Sequence, residues 1–122
     1  MFRYLDTEVL IKYLQLEGFY VKDAGLLDAA LNRPRASVFG EDAYPTLALK
    51  AAAQTQLIIK NHPMVDGNKR SSWYALNGFM ALNHHLMVAT QDEVFDFVIA
   101  VATDLYDLDE TARWIENHMV SI

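Results

Sequence analysis

An all-α fold, a compact bundle of about six helices, is what the sequence predicts, and three observations predict it. Apolar residues recur at three- and four-residue spacing along most of the chain. Helix-forming Ala, Leu, Ile and Gln dominate between the Gly and Pro breakers, and strand signals are almost absent. The first helix opens at Asp6 or Thr7 and runs to about Glu17, with Val9, Leu10, Tyr13 and Leu14 spaced as a buried stripe, until Gly18 ends it. A second runs from about Gly25 to Asn32 and stops before Pro34. The third spans Thr46 to Lys60, and the fourth starts near Asn68 and reaches about Asn83. Thr90 or Gln91 opens a fifth, whose inward face reads as Val94, Phe95, Val98, Ile99 and Ala102, and Asp109 to Met119 reads as a sixth. Leu86-Met87-Val88 is long enough only for a small ribbon. There is no internal repeat and no low-complexity tract.

Between the third and fourth helices lies His62-Pro63-Met64-Val65-Asp66-Gly67-Asn68-Lys69-Arg70-Ser71. It places a potential base, a carboxylate, an amide and two cations in one polar loop. Pro63 disfavours helix at His62, and Gly67 lets the backbone turn or approach a ligand closely. The first N–H groups of the helix that follows lack internal partners and attract an anion, and Lys69 and Arg70 add to that field. Exposed N–H groups, an Arg fork, a Lys and an Asn suit a di- or triphosphate. Asp66 suits a magnesium ion on phosphate oxygens, and His62 suits removal of a proton from a hydroxyl. Together they describe group transfer from a nucleotide. Each residue alone has a plainer reading: His62 and Asn68 as helix caps, Asp66-Gly67 as a turn, Lys69-Arg70 as a solvated pair. The ordered string favours the site.

Composition narrows the alternatives. A length of 122 residues, 52% of them hydrophobic, predicts one domain, residues 1–122, around one core. The net charge of −6 argues against direct nucleic-acid binding, whose footprint is a basic face. No apolar run approaches the ~20 residues that span a bilayer, and the first residues lack a signal-peptide hydrophobic region, so no membrane partner and a cytoplasmic location are expected. With no cysteine, thiolate metal sites and disulfides are excluded. No Walker-type phosphate loop competes, because Gly67 is followed by Asn68 and not by a Lys-Ser or Lys-Thr pair.

The motif closely resembles the Fic/Doc superfamily signature, in which His-Pro-Phe is followed by an acidic residue, Gly-Asn, a variable position and Arg. Lys69, where members that transfer AMP typically carry Gly, is similar to the Doc (death on curing) toxin branch. The resemblance extends to Gly25 through Leu31, Arg33-Pro34-Arg35, Phe39-Gly40 and Tyr44-Pro45, and so covers nearly the whole chain. It implies a Fic-type helical bundle with the motif loop between two central helices. It further implies a toxin of a toxin–antitoxin pair, a protein kinase that uses ATP and Mg to phosphorylate a threonine of elongation factor Tu, arrests translation, and is neutralised by a Phd-like antitoxin. By position, His62 would be the general base and Asp66 the metal ligand. Gly67, Asn68, Lys69 and Arg70 would bind the nucleotide phosphates, with Lys69 and Arg70 also counted in the catalytic set. Two alternatives stay open: transfer of AMP to a hydroxyl from the reversed nucleotide, and a non-catalytic nucleotide-binding module. Met64 stands where the family usually has Phe and reads as a core anchor beneath the loop; Ser71-Ser72 stands where Thr-Ala is common.

Other features are less specific. Arg33 to Ala43 is irregular and would overhang the site, as the flap of the superfamily does, with Ser37-Val38-Phe39 as its edge or with Phe39 as a core plug. His84-His85 and His118 read as helix ends and not as metal ligands, because adjacent helical residues point about 100° apart. Trp73, Tyr74 and Phe79 either contact a base or belong to the core. No clean copy of the family's inhibitory helix is present: Glu116-Asn117 ends like one, but Ala112 stands where its hydroxyl belongs, and Ser37 to Glu41 is followed by Asp42.

Overall fold

The computed structural model describes all 122 residues. Six α-helices carry the fold: α1 (Thr7–Leu16), α2 (Ala24–Asn32), α3 (Leu47–Asn61), α4 (Asn68–Leu82), α5 (Gln91–Ala102) and α6 (Leu108–His118). Side-chain oxygens open five of them. Asp6, Asp23, Thr46, Thr90 and Asp107 each accept a backbone N–H in the first turn, and Thr90 and Asp107 form full capping boxes with Glu93 and Glu110. The helix starts read from the sequence therefore hold to within a residue or two.

α3 is the axis of the bundle. It packs against α2, α4, α5 and α6, which explains why nine of its 15 residues are buried and why Ala48, Ala51, Ala52 and Ala53 are small enough for close approach. One apolar cluster joins α3, α4, α5 and α6 through Ile59, Leu76, Phe79, Phe97, Val101 and Ile115. A second joins α1, α2 and the motif loop through Leu10, Leu14, Phe19, Leu27, Leu31 and Met64. Phe79 is core, as one of its two readings had it.

Two inward faces differ from expectation. On α1 only Leu10 and Leu14 are buried, while Val9 and Tyr13 are exposed. On α5 the buried set is Phe97, Val98, Ala100 and Val101. The cause is the position of α3 and α4, with Trp114 of α6 stacked on Phe97: the core-facing stripe of α5 is rotated, and Phe95 is left 64% exposed.

The strands are short ribbons. β3 (His85–Met87) pairs antiparallel with β4 (Met119–Ser121), closing the chain end onto the residues after α4. β1 (Ser37–Val38) and β2 (Glu41–Asp42) form a hairpin whose tip, Phe39, has φ 52° and is fully exposed, so it plugs no core. This hairpin and the preceding 3₁₀ turn, Arg33–Arg35, are fastened to the N-terminal half of α3 by Lys50, a lysine with no exposed surface. Its ammonium donates to the Pro34 carbonyl at 3.0 Å and the Asp42 carboxylate at 3.4 Å, and lies 5.0 Å from the Phe2 ring centre. Such a group is tolerated only when partnered. Lys50→Ala is expected to cost about 2–3 kcal/mol, from the cavity and the orphaned Pro34 carbonyl. Urea unfolding would measure it, and a loss below about 1 kcal/mol would show that the fastening contributes little.

Candidate active site

The site begins where α3 ends. His62 closes that helix in the left-handed conformation, φ 49° and ψ 58°, a strained position that His tolerates better than bulkier residues. Its side chain is exposed, and no group of the chain bonds either ring nitrogen. Pro63 and Met64 then turn inward, and Met64 is fully buried, the anchor expected of it.

What holds the loop is the segment after α1. The Pro63 carbonyl accepts the N–H groups of Lys22 (2.8 Å) and Asp23 (3.0 Å), Val65 N–H donates to the Tyr20 carbonyl (2.8 Å), and Val21 bridges Met64. Asn68 ties the loop to itself, accepting Met64 N–H on Oδ1 at 2.9 Å and donating from Nδ2 to the Met64 carbonyl at 3.4 Å. Asn68 thus shapes the turn, and its amide is largely committed to that task.

Gly67 enters α4 at φ 72°. A Cβ built there would lie 2.5 Å from Phe19 Cε1. The close approach that glycine permits is therefore to a protein ring. The same ring carries the Arg70 guanidinium over its face at 5.4 Å. Phe19 is the residue that the sequence reading missed. Its only signal was an aromatic run, Phe19-Tyr20, placed directly after the Gly18 breaker.

Unlike the other five helices, α4 has no side-chain cap. Its first N–H groups have no intrahelical partner, and they face the same region as the exposed Lys69 and Arg70. Gly67 N–H is the exception, donating to Asp66 Oδ1 at 2.8 Å. Asp66 is the one carboxylate lining the cleft, and its second oxygen has no partner in the chain. A single carboxylate, completed by phosphate oxygens and water, is a donor set that magnesium takes on nucleotides, so the residues present fit that ion. No cluster of three His, Cys, Asp or Glu offers an all-protein cage.

These groups line one cleft of about 870 Å³, within the roughly 300–1,000 Å³ usual for small-molecule sites. His62, Asp66, Gly67, Asn68, Lys69 and Arg70 all reach it, so every site residue expected from the sequence is brought to one place. Trp73 and Tyr74 continue the same wall along α4. The β1–β2 hairpin does not line the cleft. It is tied to Lys50, 11 residues before Asn61 on α3.

Comparison with known proteins matches this arrangement to one family, described as the Fic/DOC family, whose model covers residues 3–80. The chain belongs to the Fic/DOC family. It is also 48% identical over 117 residues to Toxin Doc of Mycolicibacterium smegmatis, an alignment covering 92% of this chain and 90% of that protein. The Fic/DOC match spans α1 to near the end of α4, and so includes the motif loop and the Phe19–Asp23 segment that holds it. The likeness to Toxin Doc agrees with the Doc branch indicated by Lys69.

Proposed function

We propose that this protein is the toxin of a toxin–antitoxin pair, a protein kinase that transfers the γ-phosphoryl group of ATP to a threonine hydroxyl of elongation factor Tu and so arrests translation. The observation that carries the reading is the juxtaposition, in one cleft, of an imidazole with both nitrogens free and an uncapped helix start bearing Lys69 and Arg70. The likeness to Toxin Doc supports the toxin role and, with it, a Phd-like antitoxin as partner. No helix is long and apolar enough to cross a membrane, and a cytoplasmic location follows from the proposed target.

The chemistry assigns one role to each group. The α4 N–H groups, Lys69 and the Arg70 fork hold the phosphates, and the Phe19 face fixes the direction of that fork. A neutral His62 nitrogen takes the proton of the incoming hydroxyl as its oxygen bonds to the γ-phosphorus. The bond from that phosphorus to the bridging oxygen breaks, and its electron pair leaves on ADP. Magnesium bound at Asp66 would offset charge on the leaving diphosphate. Asp66→Ala is accordingly expected to weaken ATP binding in the presence of magnesium while leaving magnesium-free binding little changed; equal binding to wild type with the metal would remove Asp66 from this role. Residues 1–122 act together as one catalytic unit.

The test is the intact mass of elongation factor Tu after incubation with the protein, magnesium and ATP. A gain of one phosphate is expected. A gain of AMP would reassign the reaction to nucleotidyl transfer with the nucleotide reversed, and an unchanged mass would overturn elongation factor Tu as the substrate.

A further inference from the structure

Between His62 and Asp66 the motif loop carries three apolar residues, Pro63, Met64 and Val65. Pro63 and Met64 are buried, but Val65 is 67% exposed, although it stands between the proposed base and the proposed metal ligand. The pairing of the loop explains how it is held outward. Residues 20–22 and 63–65 run antiparallel. On either side of the Val21–Met64 bridge, Val65 N–H donates to the Tyr20 carbonyl and Lys22 N–H to the Pro63 carbonyl, each at 2.8 Å. Successive side chains of paired strands alternate between faces, and directly opposite residues share one. Val21 and Met64 take the inner face and pack into the apolar cluster beneath the loop. Tyr20, opposite Val65, takes the outer face and is 59% exposed.

The two outer side chains are uncovered by the chain itself. The Tyr20 ring meets no other ring and no cation, in contrast to Phe19 before it, which packs on Tyr74 and carries Arg70. Neither Tyr20 nor Val65 lines the cleft, so a nucleotide held there leaves both exposed.

What covers them follows from the position of His62. An incoming hydroxyl must come within hydrogen-bond reach of the imidazole, about 2.6–3.2 Å. An extended chain advances ~3.3 Å per residue, so the residues one to three places from that hydroxyl cross ground roughly 3–10 Å from it. Val65 is three residues from His62, and its Cα can lie no more than about 11 Å away. We infer that Tyr20 and Val65 form a docking ledge for the protein substrate, taking an apolar side chain that stands within about three residues of the acceptor hydroxyl. An exposed ring directly opposite a β-branched residue offers that side chain a rigid apolar contact. The inference rests on the phosphotransfer reading and adds the place where the substrate's own chain rests.

Initial rates of phosphate incorporation into elongation factor Tu, measured over a range of its concentration at saturating ATP and magnesium, test the ledge. Tyr20→Ser combined with Val65→Ser is expected to raise KM for elongation factor Tu about tenfold or more, the effect of losing an anchoring contact at an interface. The kcat and the calorimetric affinity for ATP should stay at their wild-type values, and the melting temperature likewise, since neither side chain belongs to the core. Tyr20→Phe combined with Val65→Ile keeps the apolar surface and should keep the wild-type KM. The ledge is overturned if the serine pair leaves KM unchanged, or if the Phe and Ile pair raises it as much. It is overturned also if ATP affinity or kcat falls as KM rises, because the two residues would then be supports of the loop. A wild type that transfers no phosphate to elongation factor Tu would instead overturn the proposed function, and the ledge with it.

Discussion

His62→Ala is expected to bind ATP and magnesium as the wild type does and to lose phosphoryl transfer by about 10²–10⁴-fold, the usual share of a general base. The two effects separate because His62 is exposed and makes no hydrogen bond within the chain, while the phosphate contacts proposed above come from the start of α4. Stability should change by no more than about 1 kcal/mol, since alanine meets slightly more strain than histidine in the left-handed conformation. Calorimetric ATP binding set beside the rate of phosphate incorporation reads both quantities. A variant that loses binding and transfer together would show that His62 positions the nucleotide, and the base would have to be sought elsewhere.

Gly67→Ala is the second large effect, and here structure and activity should fall together. The added methyl carbon would stand 2.5 Å from Phe19 Cε1 and 2.7 Å from Cδ1, inside any tolerable contact, at a φ of 72° that alanine also resists. Phe19 cannot yield freely, being 9% exposed and packed against Tyr74 at 5.7 Å as well as carrying Arg70. Overpacking and backbone strain together are expected to cost on the order of 2–5 kcal/mol. Any chain that still folds should have Arg70 displaced and transfer nearly abolished. Removing the obstacle instead of the glycine distinguishes the causes: Phe19→Leu in the Gly67→Ala background should recover stability without recovering activity. Recovery of both would mean that Phe19 does not orient Arg70.

Much of the fold was legible because helix starts are local chemistry. Asp6, Thr46 and Thr90 stand directly before apolar periodic runs, and each caps a helix as its side chain dictates. The motif loop was legible for the same reason, since His62 to Arg70 is a contiguous string delivered to one cleft by a turn. What was not legible depends on partners distant in the chain. Periodicity shows that α5 has an apolar side, but which of its apolar residues face the core is decided by α3 and α4, so Phe95 read as inward and lies in the cleft. Phe19 could not be singled out, because its importance comes from Gly67, 48 positions later. The irregular stretch after Arg35 was legible, but its closing into a hairpin and the way it is held were not: a buried Lys50 carries no signature in a helix whose neighbours are unknown.

The walls of the cleft come from well-separated stretches, residues 62–74 on one side and 89–98 on the other, with the floor under Gly67 supplied by Phe19. This sets an order of events during synthesis. A nascent chain that has extruded the complete motif still lacks its second wall, and α6, which packs on the central helix, has yet to emerge. The proposed site is therefore complete only once α5 has emerged and packed beside the motif helix.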